Sequence, residues 1–418
     1  MYGQIALTPR SLEEYLPIVG RQRLDELQRL ARPLKGLRVL NLSVTAFGTG
    51  TAELLSSSVP LLCDLGLDCH WQVVRSDEKT TTVNRAMYRA LAGGDSHWND
   101  EMTKVWQDYT EMNAGLFDDD FDVVVVHDPQ PTAIRSYLRC KQQRRSHWLF
   151  HSHIDLSAAN SEVWRLLEDH LQQYEAWIFE DWRFLGDVKT SLPVTIVPPA
   201  IDPLALRNME ISDEVMRDIL GRYGIDCERP LIAQVAPLTP ESNTLGAIEV
   251  YERLRQQRPD LQLALLATSL PEDPKSYPYF EEVAGRVANL PDAHILSNLD
   301  NVGDIEINLV QRASVAVMQR SLQRGFGIWL SDALWKETPV VAAPMGGVSR
   351  QVLHGCTGFL ADTTEEFARH MMYLLENPDF VEKLGKSGRQ HVLDHFTLCR
   401  YLSDYLGVLV ARTALPRY

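Results

Sequence analysis

Four valines in succession, Val123 to Val126, lie between Asp122 and His127. A strand with one face in water alternates apolar and polar residues, whereas an unbroken β-branched run belongs to a parallel sheet covered on both faces. Parallel neighbours are joined by crossover helices, so this run commits the chain to an α/β architecture. The flanking sequence conforms. Leu37-Arg38-Val39-Leu40-Asn41-Leu42 reads as a first strand, Ala46-Phe47-Gly48-Thr49-Gly50-Thr51 as a glycine turn and Ala52 to Asp64 as the helix after it. Cys69 to Val74, Trp148 to His153, Ala176 to Phe179 and Val194 to Val197 supply further strands, and the alternation implies a doubly wound sheet. Before them, Leu12, Tyr15, Leu16, Val19, Leu24, Leu27 and Leu30 stand at helical spacing, a helical preface over residues 10 to 34.

Three prolines in Pro198-Pro199-Ala200-Ile201-Asp202-Pro203 stop regular structure and stiffen a connector, which marks a domain boundary. Beyond it, Leu231 to Val235, Gln262 to Ala267, His294 to Leu296, Val315 to Met318 and Pro339 to Ala343 read as strands of a second α/β domain, and a last helix is expected from about Glu382 to Val410. The expected organisation is 1–200, 201–384 and a terminal helix 385–418. The 418 residues suit two or three domains, and 45% hydrophobic content is ample for their cores. A net charge of −15 argues against a nucleic-acid partner or an anionic membrane surface. Six scattered cysteines without a Cys-x-x-Cys pair fit free thiols in a reducing cytoplasm. With no apolar run of signal-peptide or transmembrane length, a soluble cytoplasmic protein without membrane insertion is expected.

Polar clusters fall at the carboxyl ends of the first-domain strands, where open α/β sheets bind ligands. Gln72 and Arg75 end the second strand, His127-Asp128-Pro129-Gln130 the valine strand, and His151-Ser152-His153-Ile154-Asp155 the next. An imidazole titrates near neutral pH, so His153 is a candidate to take or relay a proton, with Asp128 and Asp155 as hydroxyl ligands or orienters. Asp155 and Ser157 also suit helix capping near Asn160. His151 and His153 lie on one face of a strand and can be read as a metal pair, yet no third ligand stands at helpful spacing. No metal is expected.

Residues 320 to 350, RSLQRGFGIWLSDALWKETPVVAAPMGGVSR, put Gly325-Phe326-Gly327 before a short helix, Ile328 to Trp335, and Gly346-Gly347 after an apolar strand. Glycine turns opening onto helices can offer N–H groups to a phosphate, and they can equally be plain α/β turns. Gly355-x-x-Gly358-Phe359-Leu360 follows. This order resembles the donor-nucleotide half of family-4 retaining glycosyltransferases of the GT-B fold. The glycine turn with Ala52-Glu53-Leu54-Leu55, Leu65-Gly66-Leu67-Asp68 before Trp71-Gln72-Val73-Val74, His127-Asp128-Pro129-Gln130-Pro131 and His151 to Ser157 are similar to the trehalose glycosyltransferring synthase branch. The resemblance implies two Rossmann-like doubly wound domains facing across a cleft, a boundary at the prolines and a terminal helix crossing back to the first domain.

It also implies roles. His153, Asp128 and Arg324 would be catalytic. Gly48, Gly50, Glu53, Gln72, Arg75, His127, Gln130 and Asp155 would serve the acceptor sugar; Ser242, Gly325, Phe326, Gly327, Asp332, Gly346 and Gly347 would serve the donor. In the family an Arg and a Lys five residues apart hold the donor diphosphate, and two glutamates eight residues apart face its sugar and ribose. Here Pro237 and Ser242 stand in place of the cations, and Arg324 and Asp332 in place of the glutamates. Losing two charge-assisted hydrogen bonds costs roughly 3–6 kcal/mol, or about 10²–10⁴ in affinity. Arg324, beside Gly325, is the candidate substitute cation, with Arg320 and Arg350 flanking the same loops. The expected function is transfer of a hexosyl unit, glucosyl by family default, from a nucleotide sugar (UDP- or ADP-glucose) to a sugar such as glucose, with no separate cofactor. The alternative is an impaired relative that binds a sugar or nucleotide as a sensor or interaction protein. The partners are then small-molecule sugars and the nucleotide sugar, with no nucleic acid; a homodimer is left open.

Overall fold

In chain order the first unit carries strands β1 (Gly3–Gln4), β2 (Arg38–Ser43), β3 (Asp68–Val73), β4 (Val123–His127), β5 (His147–Ser152), β6 (Ala176–Phe179) and β7 (Val194–Ile196). The computed structural model describes residues 2–94, 97–118, 120–138, 146–267, 276–297, 302–322 and 325–414. The sheet order is β1-β3-β2-β4-β5-β6-β7. All pairs are parallel except the edge, where β1 runs antiparallel to β3 with Gly3 opposite Val73. Every residue of the valine strand β4 is buried, as two-sided coverage requires. From β2 the chain winds outward to β3, then returns past β2 to begin β4. The carboxyl ends of β2 and β4 therefore flank the point where the winding reverses, the place at which such sheets bind ligands.

The second unit adds β8 (Leu231–Ala236), β9 (Gln262–Ala267), β10 (Ala293–Ser297), β11 (Ala316–Gln319), β12 (Val340–Ala342) and β13 (Gly358–Leu360), in the order β10-β9-β8-β11-β12-β13 and parallel throughout. Successive residues of its central strands feed different cores. Ile232, Leu263 and Leu265 join one apolar cluster, while Leu231, Ala233, Val235, Ala264 and Leu266 join another. This is why these strands read as continuous apolar runs rather than alternating ones.

The units are Met1–Ala200 with Leu398–Tyr418, and Ile201–Thr397. The first crossing falls among the prolines, but the return comes at 398 rather than at 385. The expected single terminal helix is two, Pro378–His395 and Leu398–Thr413. The break has a visible cause within the second unit: Phe396 packs edge-on against Phe326 at 5.7 Å, and its carbonyl accepts from Ile201 N–H at 2.8 Å. In the first unit, Arg400 in the final helix donates to the carbonyls of Pro198 and Pro199, each at 2.8 Å. The short strands β1 and β13 were not anticipated, being only two and three residues long.

A buried polar network ties the helix Trp329–Trp335 to the rest of the second unit. Lys336 follows the helix, and its Nζ donates to Asn208 Oδ1 (2.7 Å), Gln311 Oε1 (2.9 Å) and the Asp332 carbonyl (2.9 Å). Burial pushes its pKa down to about 7. Replacing Lys336 by Met keeps its length but strands three buried acceptors. We expect Lys336→Met to lower unfolding free energy by about 2–4 kcal/mol in urea titrations; a loss under about 1 kcal/mol would show that the network contributes little.

Candidate functional site

The carboxyl edge of the first sheet gathers side chains from four strands. Asn41 lies within β2, His127 closes β4, His151 lies in β5 with His153 just beyond it, and Glu180 follows β6. They form one hydrogen-bonded line. Asn41 Oδ1 lies 3.0 Å from His127 Nε2, His127 Nδ1 lies 3.1 Å from His153 Nε2, and His153 Nδ1 lies 2.8 Å from Glu180 Oε1. From the far end of the chain, Tyr405 donates its hydroxyl to Asn41 Oδ1 at 2.9 Å.

The proton positions follow. Asn41 turns its amide nitrogen to the His70 carbonyl and its oxygen to Tyr405, so that oxygen is an acceptor. His127 Nε2 must then carry a hydrogen. Burial holds the His127 pKa well below its ordinary value, so the ring is neutral and its Nδ1 is bare. His153 Nε2–H donates to that bare nitrogen, which leaves His153 Nδ1 facing Glu180. Two acceptors cannot sit 2.8 Å apart without a proton between them, so His153 and Glu180 share one. Burial raises the Glu180 carboxyl, and the bond to His153 opposes the rise.

Asp128 stands at the point where the winding reverses. Its Oδ2 accepts from Val44 N–H at 2.9 Å, joining the ends of β4 and β2. Burial pushes its carboxyl up to about 6, opposed by that N–H and by His153, although part of the side chain meets solvent. A carboxylate poised near neutrality beside a histidine pair can orient a hydroxyl and accept its proton. Gly48, Gly50 and Glu53 are exposed in the turn and first helical residues after β2, and Gly48 has a positive φ of 72° that favours glycine.

Other expected acceptor residues answer to the fold. Gln72 donates to Gln4 Oε1 on the edge strand at 3.2 Å, and Asn113 bridges the Arg75 backbone through bonds of 2.9 Å to N–H and carbonyl. Asp155 accepts from Ser157 N–H at 2.9 Å, the local turn that its capping character anticipates. Gln130 is buried and donates to the Asn84 carbonyl at 3.1 Å. Among the described residues, Gln130 Oε1 and both side-chain amide atoms of Asn84 have no hydrogen-bond partner. The expectation that no third ligand joins His151 and His153 is corrected. His127 lies opposite His151 in the strand register, and the ligand nitrogens of the three rings lie within 4.8 Å of one another.

The second unit changes the reading of the donor residues. The two glycine turns pack on each other: Gly347 N–H donates to the Gly325 carbonyl at 2.8 Å, and a Cβ on Gly346 would meet that oxygen at 2.1 Å. Gly346 and Gly347 are thus required by close backbone approach. Gly327 has a positive φ of 71°. Phe326 is a core side chain, and its carbonyl accepts from Gln351 Nε2 at 2.5 Å. The helix after the turn spans only seven residues, Trp329–Trp335, and its Ser331 N–H goes to Gln351 Oε1 at 3.2 Å. Ser242 is buried and donates to the Pro237 carbonyl of its own loop. Asp332 is buried too, its Oδ1 accepting from Asn208 Nδ2 at 2.8 Å. Arg320 is spent on the Gly246 carbonyl (3.0 Å), Thr364 Oγ1 (2.8 Å) and the face of Phe367. Arg324 lies outside the described residues.

Asn41, Glu180, Asn84 and Tyr405 escaped the sequence reading. Asn41 left a usable trace, a lone amide in an apolar strand, and Glu180 stands directly after a strand, as its histidine partner does. Nothing in the sequence connects Tyr405 to Asn41.

Two family models match in tandem, "Trehalose synthase, N-terminal domain" over residues 41–185 and "Glycosyl transferases group 1" over residues 216–391. The trehalose synthase of Thermococcus litoralis is 33% identical over 402 residues, covering 96% of this chain and 97% of that one. The trehalose synthase of Rubrobacter xylanophilus is 34% identical over 400 residues, covering 95% and 96%. A solved trehalose-6-phosphate protein of E. coli, bound with UDP-2-fluoro glucose, aligns at a TM-score of 0.70 and 12% identity over 90% of this chain and 98% of that one, a likeness of fold.

Asn41→Leu strands the His127 N–H and the Tyr405 hydroxyl in the interior. We expect it to cost about 2–5 kcal/mol by chemical denaturation and to let His127 lose its single tautomer in imidazole ¹⁵N spectra. A variant that keeps both the stability and the tautomer would show that Asn41 is not the anchor.

Proposed function

The chain belongs to the trehalose synthase family of GT-B glycosyltransferases, and from that premise we propose that it transfers a glucosyl unit from a nucleoside diphosphate sugar to glucose with retention, giving trehalose. The observation that carries the proposal is the assembly of Asp128, His153, His127 and Glu180 at the carboxyl edge of the first sheet, beside the exposed turn of Gly48 and Gly50. In this reading Asp128 orients the attacking hydroxyl of the acceptor. His153 stabilises developing charge through the proton it shares with Glu180, and His127 holds the ring in place. The oxygen Oε1 of Gln130, which has no partner among the described residues, supplies a hydrogen-bond acceptor to a further hydroxyl.

UDP- or ADP-glucose serves as the donor, with no separate cofactor. The loop from Ala236 to Asn243 holds no cation, so the charge of the leaving diphosphate falls to Arg324 by its place beside Gly325. No helix of the described residues is long and apolar enough to cross a membrane.

Calorimetric titration with UDP, ADP, GDP and their glucose conjugates at low salt tests the donor. Micromolar binding of one nucleotide is expected, weakened roughly 10–100-fold in Arg324→Ala. Asp128→Asn should lower kcat/KM for trehalose formation by about 10²–10⁴ while leaving nucleotide affinity unchanged. Glucose or trehalose binding without any nucleotide binding would overturn the proposal in favour of a sugar-binding relative without transferase activity.

A further inference from the structure

His151 is fully buried, and among the described residues neither of its ring nitrogens has a hydrogen-bond partner. Burial holds it in the neutral form, so it keeps a lone pair in the interior. A buried imidazole with both nitrogens idle calls for an explanation. Its surroundings offer one. The rings of His151 and His153 lie 4.2 Å apart, those of His127 and His151 lie 5.2 Å apart, and the three rings bring a nitrogen each to within 4.8 Å of the others. We propose that His127, His151 and His153 form a binding site for a divalent transition-metal ion of the zinc class.

Three arguments support the site. The first is spacing. Three imidazoles on a tetrahedral ion, with bonds of about 2.0–2.1 Å, place their nitrogens about 3.3–3.5 Å apart. His127 Nδ1 and His153 Nε2 already stand at 3.1 Å, and a nitrogen of His151 lies within 4.8 Å of the ligand nitrogens of both rings. The second is orientation. Ligating histidines characteristically donate their other ring N–H to a carboxylate or carbonyl oxygen. Here His153 Nδ1 faces Glu180 Oε1 at 2.8 Å and His127 Nε2 faces Asn41 Oδ1 at 3.0 Å, which leaves Nε2 of the one and Nδ1 of the other for the ion. The third is ligand chemistry. A set of neutral imidazoles selects zinc, cobalt, nickel or copper over magnesium or calcium.

Three protein ligands leave a coordination position for an exchangeable group, unlike the four-ligand sites that hold structural zinc. The inferred ion is therefore of the open, non-structural kind. It would occupy the same nitrogens that join His153 to His127 and so interrupt the line from Asn41 to Glu180. In the transferase reading this makes it an inhibitor.

The test uses the full chain, freed of metal by a chelator, with no sugar or nucleotide present. A failure here is thus separate from a failure of the transferase reading. Zinc titrated against a chromophoric chelator is expected to saturate at one ion per chain, and cobalt to give intense visible bands of a tetrahedral site. His151→Leu removes a ring that holds no hydrogen bond, and should weaken zinc binding at least 100-fold and abolish the cobalt bands. Glu180→Gln should weaken binding about 10–100-fold. Should His151→Leu fail to fold, cobalt-induced shifts of the three imidazole signals in the wild-type protein decide the matter. No saturable binding, an unchanged affinity in a folded His151→Leu, or cobalt shifts confined to other histidines would overturn the proposal.

Discussion

A single amide organises the carboxyl edge of the first sheet. Asn41 sits in β2, an interior strand between β3 and β4, among the buried apolar side chains of Val39, Leu40 and Leu42. Its oxygen accepts from Tyr405 and from His127, and that second bond settles which nitrogen of His127 is protonated. His153 must then donate to His127, and Glu180 must share a proton with His153. Each step follows because a buried polar atom without a partner costs about 1–3 kcal/mol, so few arrangements of protons survive. The tyrosine that completes this anchor belongs to the final helix, the segment that rejoins the first unit after the second has been built. That return is part of how the site is made.

The two units differ in how they use unusual residues. In the first, polar side chains are collected at strand ends and left with capacity to spare, as with His151, Asn84 and Gln130. In the second, residues that look available in sequence are consumed by the fold. The glycines of the two turns fit against each other's backbone, Ser242 closes its own loop, Arg320 holds a carbonyl and a threonine, and Asp332 is drawn into the network under Lys336. At these positions a structural demand stands beside the role that the family pattern assigns.

Apart from the short strands β1 and β13, strand positions in both units were legible to within a residue or two, because continuous apolar runs bounded by glycine and proline have little other reading. His127, Asp128 and His153 were legible as a group because strand ends of an open α/β sheet are where polar clusters gather. The break between the last two helices was not, since it depends on Phe396 meeting Phe326, seventy residues earlier in the chain. The third imidazole was missed for a related reason. His127 and His151 are neighbours only through the pairing of β4 with β5, and a spacing of twenty-four residues has no meaning until that register exists.

By itself, then, the sequence determined the architecture: the valine strand, the glycine turns and the proline connector each restrict the backbone locally, and local restrictions can be read along the chain. It also placed His127, Asp128 and His153 at the sheet's carboxyl edge. Only the tertiary structure decided their protonation and their company, because hydrogen bonds such as Tyr405 to Asn41 join residues that sequence holds 364 positions apart. Burial, which depresses His127 and raises Asp128, is likewise a property of the assembled layers and of no single segment.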